Sequence, residues 1–493
     1  WRDVGSFGSD FYDTPNIDRL AQEGIKFTHA YAASHVCSPT RASIMTGKYP
    51  ARLHLTDWLG GRRSYAFESL TSPDFLQELP LEESTIAEAF KAHGYATAHI
   101  GKWHLGEDPF GPLEQGFDMR VPNWNKGWPN AGYYAPFELD GVEDEPGQYL
   151  TDRLTDYAKD FISENQGQPF FLYMSHFAVH DPIHGRPDLV EKYRQKLASM
   201  DPSNSPPFLL EGNPDDPQPL TNEQLVSLID LPPYQDYKVL PERTVKIKQH
   251  QDNIEFAAMV ESMDESLGRI VDHIDQLGLT DNTLIVFFSD NGGMSGANFG
   301  GASRVVDSSR LDSAYSTSNL PLRGAKGWLY EGGIRVPMIV KWPEKFSDSS
   351  RIVEEPVIST DFYPSLLEMA GLPARDEQAL DGVSFVPALN GDSFSRGPIF
   401  WHFPQYSNHG MQSPGGAVRL GDFKLLEYFE NNTVQLFNLR EDIGERNDLS
   451  QAEPEIREEL RALLRSWRED VDAQMPPRNP NYDPSQYPHT ASP

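Results

Sequence analysis

The only cysteine of this 493-residue chain, Cys37, lies in the segment C-S-P-T-R at residues 37–41. One thiol can form neither an internal disulfide nor a cysteine-rich metal site. Residues 26–31 alternate like a strand, and Pro39 suits the first turn of a helix that we expect to end at Gly47. Cys37 is therefore predicted at a helix N-terminus, where free N–H groups and the helix dipole favour an anion. A cysteine buried in the core is the other interpretation of this segment.

Further polar segments that could do chemistry follow along the chain. Each has an ordinary structural explanation when it is taken alone, because an isolated lysine usually lies on the surface and D-N-G-G usually forms a turn. The segments are T-P-N-I-D-R-L-A at 14–21, G-K-W-H-L-G at 101–106, V-H-D-P-I at 179–183, S-D-N-G-G at 289–293, L-R-G-A-K-G at 322–327 and Y-E-G-G-I-R at 330–335.

In this order, the segments resemble the signatures of the formylglycine-dependent (type I) sulfatases of the alkaline-phosphatase superfamily. The resemblance covers nearly the whole chain and is closest to the bacterial carbohydrate sulfatases. It implies that a formylglycine-generating or equivalent maturation enzyme converts Cys37 to 3-oxoalanine (formylglycine), whose hydrate is the nucleophile. It also implies a divalent metal, usually Ca²⁺ with Mg²⁺ possible, held by position 37, Asp290 and Asn291. Oxygen donors of this kind suit Ca²⁺ or Mg²⁺ better than zinc.

Cleavage of a sulfate ester needs a strong nucleophile, cations that neutralise the sulfate oxygens and an acid for the leaving group. The resemblance implies one role for each basic motif residue. Arg41 would hold the side chain at position 37 and offset its charge. Lys102 and Lys326 would bind sulfate oxygens, and Lys326 would also lie near the leaving oxygen. His180 would protonate the leaving group. His104 would take a proton from the second hydroxyl of the hydrate, so that the aldehyde re-forms and sulfate leaves.

The resemblance implies a sulfated carbohydrate or polysaccharide fragment as the substrate, and we expect the enzyme to act at the end of that fragment. Trp58 and Trp401 could stack on a sugar ring, while Asp57, His402 and His409 could bind hydroxyl groups. Ordinary packing between domains is an equally good interpretation of each of these residues.

Two other functions are compatible with parts of the pattern. A phosphate-ester or phosphonate hydrolase of the same superfamily would share the tetrahedral anionic substrate, although the basic cluster of Lys102, Lys326 and His180 suits a singly charged sulfate and one metal better. A non-catalytic carbohydrate-binding relative is the second alternative. Retention of Cys37 together with Arg41 speaks against it.

Composition excludes some partners. The net charge of −31, from 42 basic and 73 acidic residues, argues against binding of a nucleic-acid backbone. No apolar run approaches the length that spans a membrane. We expect a periplasmic or secreted protein, in which the signal region, the first strand and a metal-binding aspartate pair of the relatives lie upstream of Trp1. Asp3 aligns with a later aspartate of that loop and is not predicted to be a ligand.

The sequence predicts that these residues are positioned by repeated strand–helix units. We predict an α/β fold with a large, mostly parallel central sheet sandwiched by helices, as in alkaline phosphatase. Polar segments follow predicted strands at 95–100, 170–174 and 284–288; the last is an unbroken apolar run typical of a strand buried on both faces of a parallel sheet. Helices are predicted at 85–94, 150–162 and 256–277.

The predicted domain organisation has three parts. Residues 1–385 form the catalytic domain, in which 201–243 is an excursion over the surface. Residues 386–475 form a smaller C-terminal α+β domain with an antiparallel sheet, and 476–493 form an extended tail. Within the smaller domain, strands are predicted at 416–419, 423–428 and 434–438, and a helix at 454–471.

Overall fold

The helices and strands can be assigned from a computed structural model, which describes residues 1–201, 203, 205–216, 224, 227, 239–240, 244–296, 315–346, 350–373, 378–409 and 412–486. The helices are α1 (Pro15–Glu23), α2 (Cys37–Thr46), α3 (Pro50–Leu53), α4 (Ile86–Ala92), α5 (Leu150–Asn165), α6 (Pro187–Ser199), α7 (Ile254–Gln276), α8 (Glu331–Ile334), α9 (Phe362–Met369), α10 (Val386–Asn390) and α11 (Pro454–Asp470). The strands are β1 (Ile25–Tyr31), β2 (Ala96–Gly101), β3 (Met119–Val121), β4 (Phe170–Ser175), β5 (Phe208–Glu211), β6 (Val239–Leu240), β7 (Thr244–Lys248), β8 (Ile285–Phe288), β9 (Arg335–Lys341), β10 (Arg351–Val353), β11 (Val357–Ile358), β12 (Ile399–Phe403), β13 (Gly415–Leu420), β14 (Phe423–Tyr428) and β15 (Val434–Asn438).

The described residues of the catalytic part form three sheets where the sequence predicts one, and the third, β5-β7-β6, is small. Of the other two, the larger sheet has the order β10-β1-β9-β8, with β11 also pairing with β1, and the smaller one has the order β3-β2-β4. The smaller sheet is parallel, as expected. In the larger sheet, β9 is antiparallel to both β1 and β8. The α/β class is confirmed, but the single, mostly parallel sheet is not what the described residues form.

The direction of β9 has a consequence for the site. β9 begins at Arg335, which pairs with Tyr31 at the carboxyl end of β1. The residues before an antiparallel strand lie at the same edge as the residues after its neighbour. The segment 322–334 is therefore brought to the edge where the chain leaves β1 for Cys37.

The burial expected for β8 is wrong. Its four residues are half-buried, and among the described strands it pairs with β9 alone, at the end of the sheet order. A strand that is paired on one side leaves its other side less covered. Because β8 runs in the same direction as β1, its carboxyl end still delivers residues 289–293 to the edge that carries Cys37.

The local signals for helices are confirmed in atomic detail. Thr85 Oγ1 accepts the Glu88 N–H (3.1 Å), and the Glu88 carboxylate accepts the Thr85 N–H (2.7 Å), which is a capping box. The long helix α7 begins with the Asn253 side chain accepting the Phe256 N–H (3.1 Å). No helix within the described ranges is both long and apolar enough to cross a membrane.

The C-terminal part confirms the predicted antiparallel sheet and adds one strand. Its order is β12-β13-β14-β15, and α11 packs on β13 and β14. The segment 201–243 lies largely outside the described residues; β5 and β6, which come from it, pair with β7. The tail is described to residue 486, and there the Asn479 N–H donates to the Ser69 carbonyl (2.9 Å).

A buried ionic cluster joins the two parts. Lys424 on β14 is 0% exposed and donates to Glu331 Oε1 (3.0 Å) and Glu445 Oε1 (2.9 Å). Burial would raise the pKa of Glu331, but Lys424, Arg335 and Arg419 outweigh it and lower that pKa to about 2. Glu331 lies in the Y-E-G-G-I-R segment, so the smaller domain fixes the chain that leads into β9.

We predict that Lys424→Ala strongly destabilises the protein, because it leaves two buried carboxylates without their ammonium partner. Breaking a buried pair in this way costs about 3–5 kcal/mol. Urea unfolding would measure the change. The matched control is Arg440→Ala, which removes an exposed partner of Asp422 and should leave the unfolding midpoint close to that of the wild type. Equal midpoints for both variants would contradict the structural role of the buried cluster.

Candidate active site

Cys37 lies at the start of α2, as the sequence predicts. The helix runs from Cys37 to Thr46, and Gly47 ends it with a φ of +70°. The thiol is buried, with 3% of the residue exposed, and Sγ lies 3.4 Å from His104 Nδ1. Burial would raise the pKa of Cys37, but the charges of Lys102, His104 and Lys326 lower it well below its usual value. The surroundings of position 37 therefore favour negative charge.

Arg41 connects three parts of the site. Its Nε donates to the Trp103 carbonyl (2.9 Å), and Nη2 donates to the carbonyl of Lys102. Its Nη1 pairs with Asp290 Oδ2 at 3.0 Å. The backbone that carries Lys102 and His104 is thus fixed one helical turn from Cys37. The direct contacts of Arg41 are with this backbone and Asp290, whereas the sequence predicts that it holds the side chain at position 37.

Asp290 and Asn291 have the features of cation ligands. Burial would raise the pKa of Asp290, but Lys102, Arg41 and Lys326 lower it to about 2, so the carboxylate is charged. Asn291 Nδ2 donates to the Gly292 carbonyl (2.9 Å), while its buried Oδ1 accepts no hydrogen bond within the described ranges. A charged carboxylate beside an orphaned amide oxygen fits Ca²⁺ or Mg²⁺.

These donors can supply only part of a coordination sphere. Calcium takes six to eight oxygen ligands. In the portion of the chain that the structure describes, no group of three or more His, Cys, Asp or Glu side chains is arranged to hold a metal. Asp290, Asn291 and an oxygen at position 37 remain the predicted protein ligands.

Lys326 and His180 form a pair on the other side of the site. Lys326 Nζ lies 3.0 Å from His180 Nε2, and His180 Nδ1 lies 3.2 Å from the Asp181 carbonyl oxygen. A carbonyl can only accept, so Nδ1 carries the hydrogen and Nε2 accepts from the lysine ammonium. Burial, Lys326 and Lys102 lower the pKa of His180 well below its usual value. In this hydrogen bond Lys326 is therefore the donor and His180 is the acceptor.

The backbone around Lys326 is held by both neighbouring segments. The Lys326 N–H donates to the Gly293 carbonyl (3.0 Å), and the Gly327 N–H donates to the His35 carbonyl (3.0 Å). Gly327 has a φ of +87°, and a Cβ there would lie 2.4 Å from the Cβ of His409. Glycine is required at this position for both reasons.

The substrate-binding candidates divide into two groups. Asp57 and His409 form the first group, which interacts with the charges of the site. Burial raises the pKa of Asp57 to about 8, and Cys37 makes a smaller contribution in the same direction. Burial lowers the pKa of His409 well below its usual value, and Lys326 makes a smaller contribution in the same direction. Trp58 follows Asp57, whose Oδ1 accepts the Trp58 N–H (2.8 Å).

Trp401 and His402 form the second group, and their contacts are those of packing between the two domains. Trp401 is 1% exposed, and its Nε1 donates to the Ala32 carbonyl (2.9 Å) within the core between the two parts. His402 Nε2 lies 2.8 Å from the Gln474 carbonyl oxygen. Both lie on β12, whose five residues are all buried, and both are bonded to backbone carbonyls within the protein, which favours the packing interpretation of these two residues.

A wall of the site was missed by the sequence reasoning. A Cβ at Gly127 would lie 2.8 Å from His104 Nδ1 and 3.3 Å from Lys102 Cε, so this backbone lies directly on the catalytic candidates. Next to it, Trp128 stacks on His180, with ring centroids 6.1 Å apart and an angle of 16° between the rings. The segment W-N-K-G-W at 124–128, with two tryptophans flanking a glycine, was the available signal.

Comparison with known proteins decides the family. The sequence profile described as "Sulfatase" matches residues 1–372, and the profile described as "N-sulphoglucosamine sulphohydrolase, C-terminal" matches residues 325–470. The chain belongs to the sulfatase family. It is thus a sulfuric ester hydrolase of the alkaline-phosphatase superfamily, as the motifs predict.

Individual sulfatases resemble the chain over most of its length. A protein named "Sulfatase" from Formosa agariphila is 28% identical over 95% of this chain and 86% of its own length. An N-acetylgalactosamine-6-sulfatase from Mus musculus is 28% identical over 86% of this chain and 69% of its own. The solved structure of Ps i-CgsB in complex with k-i-k-neocarrahexaose superposes with a TM-score of 0.69 at 26% identity, covering 96% of this chain and 90% of that one.

We predict that calcium stabilises the wild type against heat and that Asp290→Asn removes most of this effect. Calcium at roughly a hundredfold above its Kd would add about 2.7 kcal/mol to the free energy of unfolding. The measurement is the melting temperature with calcium minus that with chelator. The substitution also weakens the contact of Asp290 with Arg41, but this loss affects both temperatures and cancels in the difference. Asp281→Asn, at an exposed aspartate away from the site, is the control and should keep the wild-type shift. An unchanged calcium shift in Asp290→Asn would contradict the assignment.

Proposed function

We propose that this sulfatase removes sulfate from the end of a sulfated carbohydrate or polysaccharide fragment, by an oxidised Cys37 and one divalent metal. The observation that carries the proposal is the gathering of four basic side chains from three distant segments around position 37. Lys102, His104, His180 and Lys326 come from residues that are up to 224 apart in sequence, and Asp290 lies against the first of them at 3.8 Å. We also propose a periplasmic or secreted location and a formylglycine-generating partner.

The charge of the site suits the sulfate group. Lys102 is 3% exposed and Lys326 is 4% exposed, so both side chains are largely shielded from water, and the charges of both lower the pKa of Cys37. A sulfate ester placed there would accept hydrogen bonds from both. The same charges act more strongly in a water-poor site than at the surface. The local positive field can therefore bind an anion although the whole protein carries a net charge of −31.

The proton path follows from the hydrogen bonds. His180 accepts from Lys326 through Nε2, which holds the ammonium in place beside the leaving oxygen. We propose that Lys326 supplies the proton and that His180 orients it, a change from His180 acting alone. His104, 3.4 Å from the atom at position 37, is placed to take a proton from a hydroxyl there.

The oxidised and hydrated position 37 would supply the nucleophile, and the metal would lower the pKa of its hydroxyl. Asp290 and Asn291 would hold this metal from one side. Arg41 holds Asp290 and the Lys102–His104 backbone in fixed positions relative to position 37, since it bonds to both. With one proposed metal and several cations, the site suits a sulfate ester better than a dianionic phosphate ester.

The test is a panel of sulfated mono- and disaccharides, with matched phosphate esters and a small aryl sulfate. We expect sulfate release from at least one sugar, at a kcat/KM well above that for its phosphate counterpart. Lys326→Met should lower kcat by about a hundredfold or more, because it removes a group that acts on developing charge. The control Lys345→Met changes a lysine that lies over Trp342 and should retain wild-type kinetics. Faster turnover of the phosphate esters would overturn the sulfatase proposal for this site, and turnover of the aryl sulfate alone would overturn the carbohydrate part.

A further inference from the structure

A surface cavity adjoins the reaction centre on the side of His104. Its volume is about 390 Å³, within the range of cavities that bind small molecules. His104 forms part of its inner wall and is 2% exposed. The residues that line it more widely are Leu59, Gly60, Gln77, Glu78, Glu107, Asp108, Phe110, Asn125, Lys126 and Trp128.

Trp128 links this cavity to the catalytic pair. One side of its ring stacks on His180, and Trp58 lies 6.4 Å away at an angle of 59° between the rings. Trp128 is only half-buried and also lines the cavity. A molecule in the cavity would therefore contact Trp128 while another part of it reached His104 and position 37.

The polar groups of the cavity suit hydroxyl groups. Asn125 Oδ1 accepts the Gly106 N–H (2.9 Å), and Gln77 Oε1 accepts the Gly60 N–H (2.8 Å). These bonds leave the NH₂ groups of both amides as donors. The carboxylates of Glu78 and Glu107 supply acceptors. An aromatic ring with amide donors and carboxylate acceptors around it is a surface that binds a sugar ring.

The charges of the cavity oppose those of the sulfate site. Glu78, Glu107 and Asp108 face one cation, Lys126, in the lining. Asp108 is also bonded to Arg120. Glu78 and Glu107 make no ion pair with any residue that the structure describes. A second sulfate or a carboxylate placed in this cavity would meet like charges, which disfavours its binding.

We propose that the cavity binds the sugar ring that neighbours the sulfated ring of the substrate. The enzyme therefore selects carbohydrates in which this neighbouring ring carries no charge. This inference rests on the proposed function for the reacting sulfate. It adds Trp128, Glu78 and Glu107 as specificity-determining residues.

The first test measures binding without turnover. Unsulfated disaccharides of galactose, glucose and their N-acetylamino forms are titrated into the calcium-loaded enzyme by calorimetry. We expect at least one to bind, and Trp128→Ala to weaken it about tenfold through loss of the stacking surface, with Trp128→Phe retaining most of the affinity. Absence of binding by all of these neutral sugars would overturn the inference, whether or not the enzyme releases sulfate. If neutral sugars bind but no sulfated sugar is turned over, the proposed function fails and the cavity assignment stands.

The second test measures charge selection. A monosulfated disaccharide is compared with the same disaccharide carrying a second sulfate on the neighbouring ring. We expect the wild type to prefer the first by about tenfold in kcat/KM, and the variant Glu78→Gln/Glu107→Gln to lose most of that preference. Glu82→Gln removes an exposed carboxylate of the same region that does not line the cavity, and it should keep the wild-type ratio. A ratio that favours the disulfated sugar, or that the double variant leaves unchanged, would overturn the proposal.

Discussion

The hydrogen bonds of one arginine are the constraint on which the rest of the site depends. Arg41 bonds to the carbonyls of Lys102 and Trp103 and to Asp290, so a single side chain joins α2, the end of β2 and the end of β8. Each of these segments alone would place its charges at an arbitrary distance from position 37. Arginine can do this because its planar group carries five donors with fixed directions. The thiol, the lysine, the histidine and the predicted metal ligands therefore keep one mutual geometry.

The wider fold supports the same arrangement from the opposite side. β9 runs antiparallel to β1, which returns residues 322–334 to the edge that carries Cys37. Glu331 in that return is bonded to Lys424 of the smaller domain, and Gly327 packs against His409 of the same domain. The C-terminal part thus has a direct share in placing Lys326. A cluster of buried charges is costly to assemble, and its energy is recovered only when every partner is present.

Much of this could be predicted from the sequence, because the signals were local. The helix that starts at Cys37 and the capping box of Thr85 and Glu88 depend on a few neighbouring residues, and both are confirmed. The direction of β9 and the exposure of β8 depend on strand pairing between distant segments, which alternation along one strand cannot show. For the same reason, Trp401 could not be distinguished from a sugar platform, since an apolar run reads alike in a core and at a site. Gly127 and Trp128 were missed because only the folded chain brings them onto His104 and His180.

The central claim is that the side chain at position 37 carries the reacting atom, and that Arg41 fixes the charged groups around it. The most direct measurement is peptide mass spectrometry across residues 27–41 of the protein from its native source. We predict that Cys37 has exchanged its thiol for an aldehyde, with a mass about 18 Da lower than that of the cysteine peptide, as exchange of SH and H for a carbonyl oxygen requires. An unmodified cysteine in native protein that still releases sulfate would contradict the account.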